Sequence, residues 1–484
     1  MNIPARNRER GVAIYVAAVI LVMAVPLIGL AVDGTMLYII KCRLQGAVDG
    51  AALAAAKALS RGNDDSAQKD AATTAAATFV KLNYPSTYFF SNDVVVNTNT
   101  DVIIDLSVAH QRTVTVNAHV NAPVLFMRFL NFSSTNVNAS ATTVRKDSNI
   151  VLVLDRSGSM TASGSCGPMK QAAINFINSF AETRDYIGVV TFSTSAYANF
   201  PISTNNFKSQ TSTIINSMVC DGSTSSAAGL WLGYDQLVGL NQPAALNFIV
   251  FFTDGEPTGS AVDMPLTAGS GCTQGTSHGA GNPKTLRGLY ATYTNGSAFI
   301  GLANHLPLLK ADGVTQDFSS GDNYIASNSA GCAFAPGWNS NWQNTSDFQG
   351  IPTTDIYGNS LNTSYKAVTL SSGYIDIGNS NNGIPAATNS ADDAARRIRI
   401  GTVDNYPNAY NRGLTGVIID SVGLGNAPVP LPADGVFLER VSNDPRSPIY
   451  DSTKPAGLFV FAQQSTDIGA AFGEIASEIL RISR

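Results

Sequence analysis

Five oxygen-bearing side chains in three separate segments have the types and spacing expected of one metal site. They are, in chain order, Asp155, Ser157, Ser159, Thr224 and Asp254. The first three stand in the run VLVLDRSGSM, the fourth in DGSTSSAAGL and the fifth in IVFFTDGEP. Hard oxygen ligands with only two carboxylates suit Mg²⁺, which takes few charged ligands and keeps several waters. The coordination is incomplete, which indicates binding in which a partner supplies the missing oxygen.

The elements that must bring these segments together alternate between strand and helix from residue 148 onward. Apolar, strand-like runs are NIVLVLD, YIGVVTFS, NFIVFFTD, TGVIIDSVGLG and GLFVFAQQ. Helix-like runs are MKQAAINFINSF, NFKSQTSTIINSM, SAAGLWLGYDQL and the C-terminal DIGAAFGEIASEILRIS. Such alternation predicts an α/β fold with a doubly wound, mostly parallel sheet. The carboxyl ends of its strands gather at one edge, where open α/β sheets bind ligands.

These segments resemble the metal-ion-dependent adhesion site of von Willebrand factor A domains, whose signature is DxSxS, a lone Thr and TDG, in that order. The resemblance implies that Ser157, Ser159 and Thr224 touch the metal, with Asp155 and Asp254 acting directly or through water. It also implies an open coordination position for an acidic residue of a protein partner. Mg²⁺ is the expected ion, with Mn²⁺ and Ca²⁺ as alternatives. The competing interpretation is the same fold with a degenerate, metal-free site.

Residues 11–32, GVAIYVAAVILVMAVPLIGLAV, contain no charged side chain and predict a transmembrane helix. At about 1.5 Å per residue they span roughly 33 Å, enough for a bilayer core. Residues 1–10 carry Arg6, Arg8 and Arg10, so the positive-inside rule places this end in the cytoplasm. A cleaved signal peptide is the alternative, but its apolar region is typically shorter and ends in a small-x-small site.

Residues 33–60 continue as a juxtamembrane helix rich in Ala and Leu. The runs AVDGTMLY and LQGAVDGAALAAAKAL, after the apolar segment, resemble the N-terminus of TadE/TadG-like Flp pilus assembly proteins. Gly46 and Gly50 depart slightly from that pattern. The resemblance implies a single-pass protein of a bacterial inner membrane, with its bulk periplasmic or extracellular. It also implies other pilus assembly components as partners.

Residues 61–147 predict a small α+β region, for which a pilin-like unit is one interpretation. A helix is expected over 65–83. Strands are expected at DVVVN, DVIIDLSV, RTVTVNAHV and STNVNASATTV, where apolar and polar residues alternate. The apolar run APVLFMRFLNF between the last two strands is interpreted as helical.

The predicted A domain over 148–484 contains an insertion at about 255–390 that is dense in Gly, Ser, Asn and Thr. The insertion begins directly after the Asp254 loop, so we expect it to project from or cover the metal face. Loops on a rigid scaffold commonly carry binding, so the insertion is interpreted as a partner-specificity module. A mobile or decorative elaboration is the alternative.

Five cysteines are present, and Cys42 lies just beyond the apolar segment. In an oxidising compartment, the other four predict two disulfides with three possible pairings: Cys166, Cys220, Cys272 and Cys332. Cys166 follows the DxSxS loop and Cys220 precedes the Thr224 loop. Because these loops must meet at the metal, we favour Cys166–Cys220, with Cys272 paired to Cys332 across the insertion.

Several functional classes are disfavoured by the sequence. The net charge of −5 provides no field for binding nucleic acid. The run GTSHG fits a serine-hydrolase elbow around Ser277, but lacks the strand before and the helix after that the elbow requires. The chain has no GxxxxGK[ST] and no HExxH. We therefore expect a protein that is not an enzyme.

The sequence thus predicts a membrane-anchored, Mg²⁺-dependent adhesion or binding protein of a Flp pilus assembly or surface-attachment system. The alternative is a structural, pilus-like or scaffold subunit with a passive A domain. In that alternative, small residues such as Ala51 and Ala54 would allow the N-terminal helix to approach similar helices closely.

Overall fold

The computed structural model divides the chain into two compact units, residues 1–146 and 147–483. The structure describes residues 9–59, 65–182, 184–203, 206–267, 285–292, 298–301, 308–309, 316–317, 348–376, 379–401, 414–425 and 433–483.

The first unit packs two helices on an antiparallel sheet. Its elements are α1 (Glu9–Ala58), α2 (Asp65–Asn83), β1 (Val102–Asp105), β2 (Gln111–Pro123) and β3 (Ser134–Lys146). The strands lie in the order β1-β2-β3. The carboxyl half of α1, α2 and alternate sheet residues share one apolar core, which includes Ala51, Ala55, Ala76, Val114 and Val116. Because Ala51 is fully buried there, its small side chain serves this unit's own packing.

The N-terminal half of α1 is apolar and, apart from the half-buried Ala24, exposed over residues 13–28. Within the described residues, one helix, Ala13–Ala58, is long and apolar enough to cross a membrane by length and composition. Its carboxyl half packs into the core described above, so the exposed apolar part and the packed part belong to one continuous helix.

Two expectations for the first unit need correction. The run DVVVN contributes only an isolated bridge, Val95 to His119, because the chain turns at residues 97–101, where Asp101 accepts the Asn97 N–H. The run APVLFMRFLNF is not an α-helix: β2 extends to Pro123, and a single 3-10 turn, Met127–Leu130, follows. A contact between distant residues explains this conformation: the carboxylate of Asp33 on α1 accepts backbone N–H groups of this turn.

The second unit is a layered α/β domain. Its central strands are β4 (Ser148–Asp155), β5 (Tyr186–Phe192), β6 (Ala196–Ser203), β7 (Leu246–Thr253), β15 (Ile418–Leu424) and β16 (Phe459–Ala462). They lie in the order β16-β15-β7-β4-β5-β6, and only β6 in this sheet runs antiparallel to its neighbour. The predicted mostly parallel sheet is therefore confirmed.

Helices cover both faces of this sheet. They are α3 (Gly158–Ala162), α4 (Cys166–Asn178), α5 (Phe207–Ser217), α6 (Ser226–Leu240), α7 (Gly383–Ile400), α8 (Gly435–Ser442) and α9 (Ile468–Ile482). One core lies between the sheet and α6, α7 and α8, and the other lies between the sheet and α4, α5 and α9. Gly229 brings α6 close to the sheet, since a Cβ there would lie 2.7 Å from the Phe192 ring.

Part of the predicted insertion is ordered β-structure. The described residues form β8 (Gly259–Pro265), β9 (Thr285–Thr292), β10 (Ala298–Gly301), β11 (Leu308–Leu309), β12 (Gln316–Asp317), β13 (Leu370–Ser371) and β14 (Tyr374–Ile375). Strands β8, β9 and β10 make one antiparallel sheet. The insertion ends earlier than the predicted boundary near residue 390. Helix α7 begins at Gly383 and packs against α6 through Ala391 and Ala394, so it already belongs to the core of the domain.

A carboxyl group is buried in the central sheet at Asp420 of β15. Its Oδ1 accepts the Leu458 N–H at 2.8 Å, whereas its Oδ2 is buried without a hydrogen-bond partner. Burial, and secondarily the charge of Glu478, raise the pKa of Asp420 from 3.8 to about 7. In the folded protein this side chain is therefore neutral through the mildly acidic range, while the unfolded chain ionises near its ordinary value.

The pH dependence of stability follows from that shift. Between about pH 4 and 7 the folded state binds more protons, so the free energy of unfolding falls as pH rises and levels off above 7. We expect Asp420→Asn to match the wild type near pH 4 and to exceed it at pH 8 by on the order of 2 kcal/mol. Urea denaturation at both pH values measures this. If the free energy of unfolding of Asp420→Asn is lower than that of the wild type by the same amount at both pH values, the prediction is wrong.

Candidate metal centre

The predicted metal ligands lie at the carboxyl edge of the central sheet. Asp155 is the last residue of β4, and Asp254 directly follows the neighbouring parallel strand β7. Ser157 precedes the first turn of α3, and Ser159 lies within that turn. Asp155, Asp254 and Ser157 are almost fully buried, and Ser159 is half-buried. The parallel pairing of β4 and β7 is what places the two carboxylates at the same edge.

Four of the five side chains lie in one hydrogen-bonded set. The hydroxyls of Ser157 and Ser159 are 2.8 Å apart, and the Ser159 hydroxyl donates to Asp254 Oδ1 at 2.6 Å. The Ser157 backbone N–H donates to Asp155 Oδ1 at 2.8 Å. Ser157 and Ser159 thus connect the two carboxylates, which belong to residues 155 and 254 and are 99 positions apart in the sequence.

Thr224, the fifth residue, is buried and is placed by its backbone. Its carbonyl accepts the Thr258 N–H at 2.9 Å, and its own N–H donates to the Thr258 hydroxyl at 2.9 Å. Two residues earlier, the Gly222 carbonyl accepts the Gly158 N–H at 2.9 Å. The Thr224 loop is therefore bonded to the Asp254 loop on one side and to the DxSxS loop on the other.

The electrostatics of this edge favour a cation. Burial, and then the charge of Asp254, raise the pKa of Asp155 to about 7, and burial raises the pKa of Asp254 as well. Among the described residues, no three His, Cys, Asp or Glu side chains cluster as they would around a softer metal. Two carboxylates with several hydroxyls form the donor set of a hard cation, and such an ion would offset the repulsion between the two charges.

Three supporting residues were not predicted. The Thr253 hydroxyl donates to Asp155 Oδ2 at 2.6 Å, and the Ser163 hydroxyl donates to Asp254 Oδ2 at 3.2 Å. Thr258 holds the Thr224 loop as described. The role of Thr253 could have been predicted, because it belongs to the TDG motif. The roles of Ser163 and Thr258 could not, because hydroxyl residues are abundant throughout this chain.

A disulfide joins Cys166, the first residue of α4, to Cys220, which precedes the Thr224 loop. The Thr161 hydroxyl donates to the Cys220 carbonyl at 2.7 Å, which adds a second tie between the same two segments. Cys42 is free and exposed. The candidates Cys272 and Cys332 lie outside the described residues, as does Ser277.

The end of the insertion contacts the loop that carries Asp254. Lys366 Nζ lies 3.7 Å from Oε1 of Glu256 and 3.1 Å from Oδ2 of Asp434. Asp434 also caps α8, since its carboxylate accepts the N–H groups of Val436 and Phe437. This ion-pair group therefore connects the loop after β7 to α8, and it places part of the insertion beside the candidate metal centre.

Comparison with known families matches two parts of the chain. Residues 149–270 match the von Willebrand factor type A domain, and residues 11–58 match the family described as putative Flp pilus-assembly TadE/G-like. The first match covers the candidate metal centre, and the second covers most of α1.

Similarity to curated proteins is confined to short stretches. The chain is 29% identical over 109 residues to the uncharacterized protein YfbK of Escherichia coli (strain K12), covering 22% of this chain and 19% of that protein. It is 33% identical over 112 residues to calcium-activated chloride channel regulator 3A-1 of Mus musculus, covering 23% and 12% respectively. The chain thus spans about a fifth or less of the length of these relatives.

Solved structures with low similarity include two bacterial pilus proteins. The pilus adhesin SpaC from Lactobacillus rhamnosus GG, in its open conformation, is 14% identical, with a TM-score of 0.36 over 81% of this chain and 36% of that one. The PilB minor pilin from Streptococcus sanguinis is 15% identical, with a TM-score of 0.37 over 83% and 81%. The family matches and the sheet topology together establish that this chain carries a TadE/G-like N-terminal segment and a von Willebrand factor type A domain.

Proposed function

We propose that the A domain binds Mg²⁺ at Asp155, Ser157, Ser159, Thr224 and Asp254 and thereby holds an acidic side chain of a protein partner. The observation that carries this proposal is the pair of buried carboxylates connected through Ser157, whose backbone N–H donates to Asp155, and Ser159, whose hydroxyl donates to Asp254. Burying two like charges side by side is costly unless a cation compensates them. The donor set is that of a hard divalent ion, which favours Mg²⁺ over softer metals.

In this proposal the chain's own residues hold and orient the ion. Asp155 and Asp254 supply the negative charge, and the three hydroxyls supply neutral oxygens. Thr253 and Ser163 fix the carboxylate orientations through the hydrogen bonds already described. Mg²⁺, when bound, supplies a directional bond to an incoming carboxylate oxygen. Two carboxylates only balance the charge of Mg²⁺ and the hydroxyls add none, so the site carries no excess negative charge that would oppose an acidic partner.

The N-terminal part suggests where this binding takes place. We infer a single-pass anchor in a bacterial inner membrane, with the arginine-bearing end cytoplasmic and the bulk of the chain periplasmic or extracellular. The match over residues 11–58 to TadE/G-like proteins and the exposed apolar half of α1 support this inference. The partners would be components of a Flp pilus assembly or surface-attachment system. The role is one of binding, and no catalytic step is assigned to the site.

The proposed role is tested by a Mn²⁺ titration of the full chain in detergent micelles, with water-proton relaxation as the readout. Bound Mn²⁺ that retains water is expected to enhance relaxation, and Mg²⁺ is expected to displace it. The tripeptide Gly-Glu-Gly should then lower the enhancement, because its carboxylate replaces a bound water. The amide analogue Gly-Gln-Gly, capped like the first at its C-terminus, should leave the signal unchanged. Equal responses to the two peptides would remove the case for an acidic partner.

A structural subunit with a passive A domain remains the second candidate function, and the packing of α1 bears on only one of its two residues. Ala51 is buried in the core of its own unit, so it is not available for contacts with another helix. Ala54 is half-buried and lies outside that core.

A further inference from the structure

The turn that follows β2 exposes large apolar side chains. Leu125 is 51% exposed, Phe126 39% and Phe132 57%. Water solvates such a group poorly, and adjoining exposed apolar residues commonly mark an interaction surface. The 3-10 turn between them spans Met127–Leu130.

A buried carboxylate on α1 fixes this turn in place. Asp33 accepts the backbone N–H groups of Leu125 at 2.9 Å, Phe126 at 2.9 Å and Met127 at 2.7 Å. Asp33 itself is fully buried. It is also the first charged residue after the uncharged run 11–32. The turn is therefore held at the point on α1 where the apolar run ends.

Phe126 reaches back onto the apolar run itself. A Cβ placed on Gly29 would lie 2.6 Å from Cβ of Phe126, so the aromatic side chain packs directly against the helix backbone at this glycine. Gly29 precedes Asp33 by one helical turn. The apolar run of α1 is thus in direct contact with the turn at Gly29 and Phe126.

Two more phenylalanines lie at the same end of the sheet. Phe89 is 43% exposed and Phe90 is 78% exposed, and both have left-handed backbone conformations, with φ of 48° and 60°. Two residues later, the Asn92 N–H donates to the carbonyl of Asn121, just before β2 enters the turn. Bulky residues rarely adopt positive φ, and such strain tends to occur at functional positions.

We propose that these residues, Phe89, Phe90, Leu125, Phe126 and Phe132, form an interfacial surface that inserts into the phospholipid bilayer crossed by α1. The proposal rests on the membrane anchor inferred above. Residues 13–32 span roughly 30 Å of helix, the thickness of a bilayer core, so Asp33 lies at its outer boundary. A surface that is continuous with the span and fixed at that depth meets lipid. Aromatic side chains are enriched at this level of membrane proteins.

Two polar features agree with an interfacial position. Tyr38, exposed on α1 five residues beyond Asp33, combines an apolar ring with a hydroxyl, as residues at the headgroup level do. Arg128 is exposed on the turn itself, where its guanidinium can reach lipid phosphates. Attachment at two points, the helix and the turn, would fix the depth and tilt of the first unit against the bilayer.

The test uses tryptophan quenching in the full chain reconstituted into vesicles of phosphatidylcholine and phosphatidylglycerol. The lipids are brominated either near the headgroup or near the chain ends. The added signal of Phe132→Trp is obtained by subtracting the emission of the three native tryptophans. Val22→Trp, exposed in mid-span, reports on the anchor. Val144→Trp is the matched control, since it is exposed on β3 next to Arg145, which bonds to Ala56 at the far end of α1.

We expect headgroup-proximal bromine to remove about half or more of the Phe132→Trp signal, as befits an aromatic side chain at the interface. The Val22→Trp signal should be quenched most by the deep bromine, and the Val144→Trp signal by neither. If Val22→Trp is quenched but Phe132→Trp is not, the proposed interfacial surface is contradicted and the anchor stands. This holds whether or not the emission of Phe132→Trp is shifted to the blue, which would indicate that protein covers the side chain. If Val22→Trp is not quenched, the anchor fails and this inference fails with it.

Discussion

Asp155→Asn is expected to weaken Mg²⁺ binding strongly and, at the same time, to stabilise the metal-free protein. The amide cannot supply the charge that the ion requires, so the affinity for Mg²⁺ should fall by about 100-fold or more, beyond the loss typical of a supporting residue. In the metal-free protein the buried carboxylate at Asp155 is close to the charge of Asp254, which helps to raise its pKa to about 7. Removing that charge relieves the repulsion.

The size of the stabilisation depends on pH. The pKa of Asp155 is raised from 3.8 to about 7 on folding, so ionisation at pH 8 costs the folded state free energy that is not lost near pH 4. We therefore expect metal-free Asp155→Asn to exceed the wild type at pH 8 by on the order of 2 kcal/mol, and to match it near pH 4. Wild type at a Mg²⁺ concentration of about 100 times its Kd should gain about 2.7 kcal/mol, and the variant at the same concentration about 0.4 kcal/mol or less.

Calorimetric titration of Mg²⁺ and urea denaturation with and without the ion measure both effects. Glu474→Gln is the matched control, because it removes one exposed carboxylate of the same domain. The control should bind Mg²⁺ as the wild type does. An equal rise in stability on adding Mg²⁺ to wild type and to Asp155→Asn would show that the ion binds elsewhere.

Removing the disulfide is expected to have the largest effect on the stability of the A domain. Cys166 and Cys220 are 54 positions apart, and closing a loop of this length restricts the unfolded chain. By the chain-entropy relation, the double change Cys166→Ala and Cys220→Ala should cost about 4 kcal/mol of unfolding free energy. Affinity for Mg²⁺ should fall as well, because the bond ties the segment after the DxSxS loop to the segment before Thr224.

Urea denaturation monitored by circular dichroism measures the stability change, and Mg²⁺ titration measures the change at the site. Cys42→Ala is the control, because Cys42 is free and exposed in the first unit. It should leave the urea midpoint of the A domain unchanged. A double variant with the wild-type midpoint would mean that the disulfide does not form in the protein.

Much of the A domain could be predicted because its strands are locally distinctive. β4 and β7 are continuous apolar runs, as expected for parallel strands buried on both faces. Helices α4, α5, α6 and α9 also lie where the sequence predicts them, within a few residues. The metal-site motif could be recognised because its members occur immediately after such strands or immediately before such helices.

Helices α7 and α8 were not predicted, because their charged residues look like surface residues in the sequence. In α7, Asp392 is buried and pairs with Arg440 of α8, with two contacts at 2.6 and 2.8 Å. Arg397 is buried too, and donates to Asn359 and to the Tyr357 carbonyl. The hydrophobic pattern of a helix cannot reveal charges that become buried by pairing with partners more than 35 positions away.

The antiparallel edge strand β6 was missed for a related reason. Its sequence, AYANFPIS, is short and mixed, and it includes a proline, which is tolerated at the edge of a sheet. Pairing with β5, through the register Phe192 to Ala196, is what makes it a strand.

The sequence alone predicted the residues of the candidate metal centre, and it determined the mostly parallel sheet and the uncharged run that precedes Asp33. These features are local: each is carried by neighbouring residues, through periodicity or a short motif. Only the tertiary structure decided that the carboxylates of Asp155 and Asp254 are buried together, and that Asp33 binds the turn after β2. Both arrangements join residues more than 90 positions apart. Their energies come from burial and hydrogen bonding between distant segments, which arise only once the chain has folded.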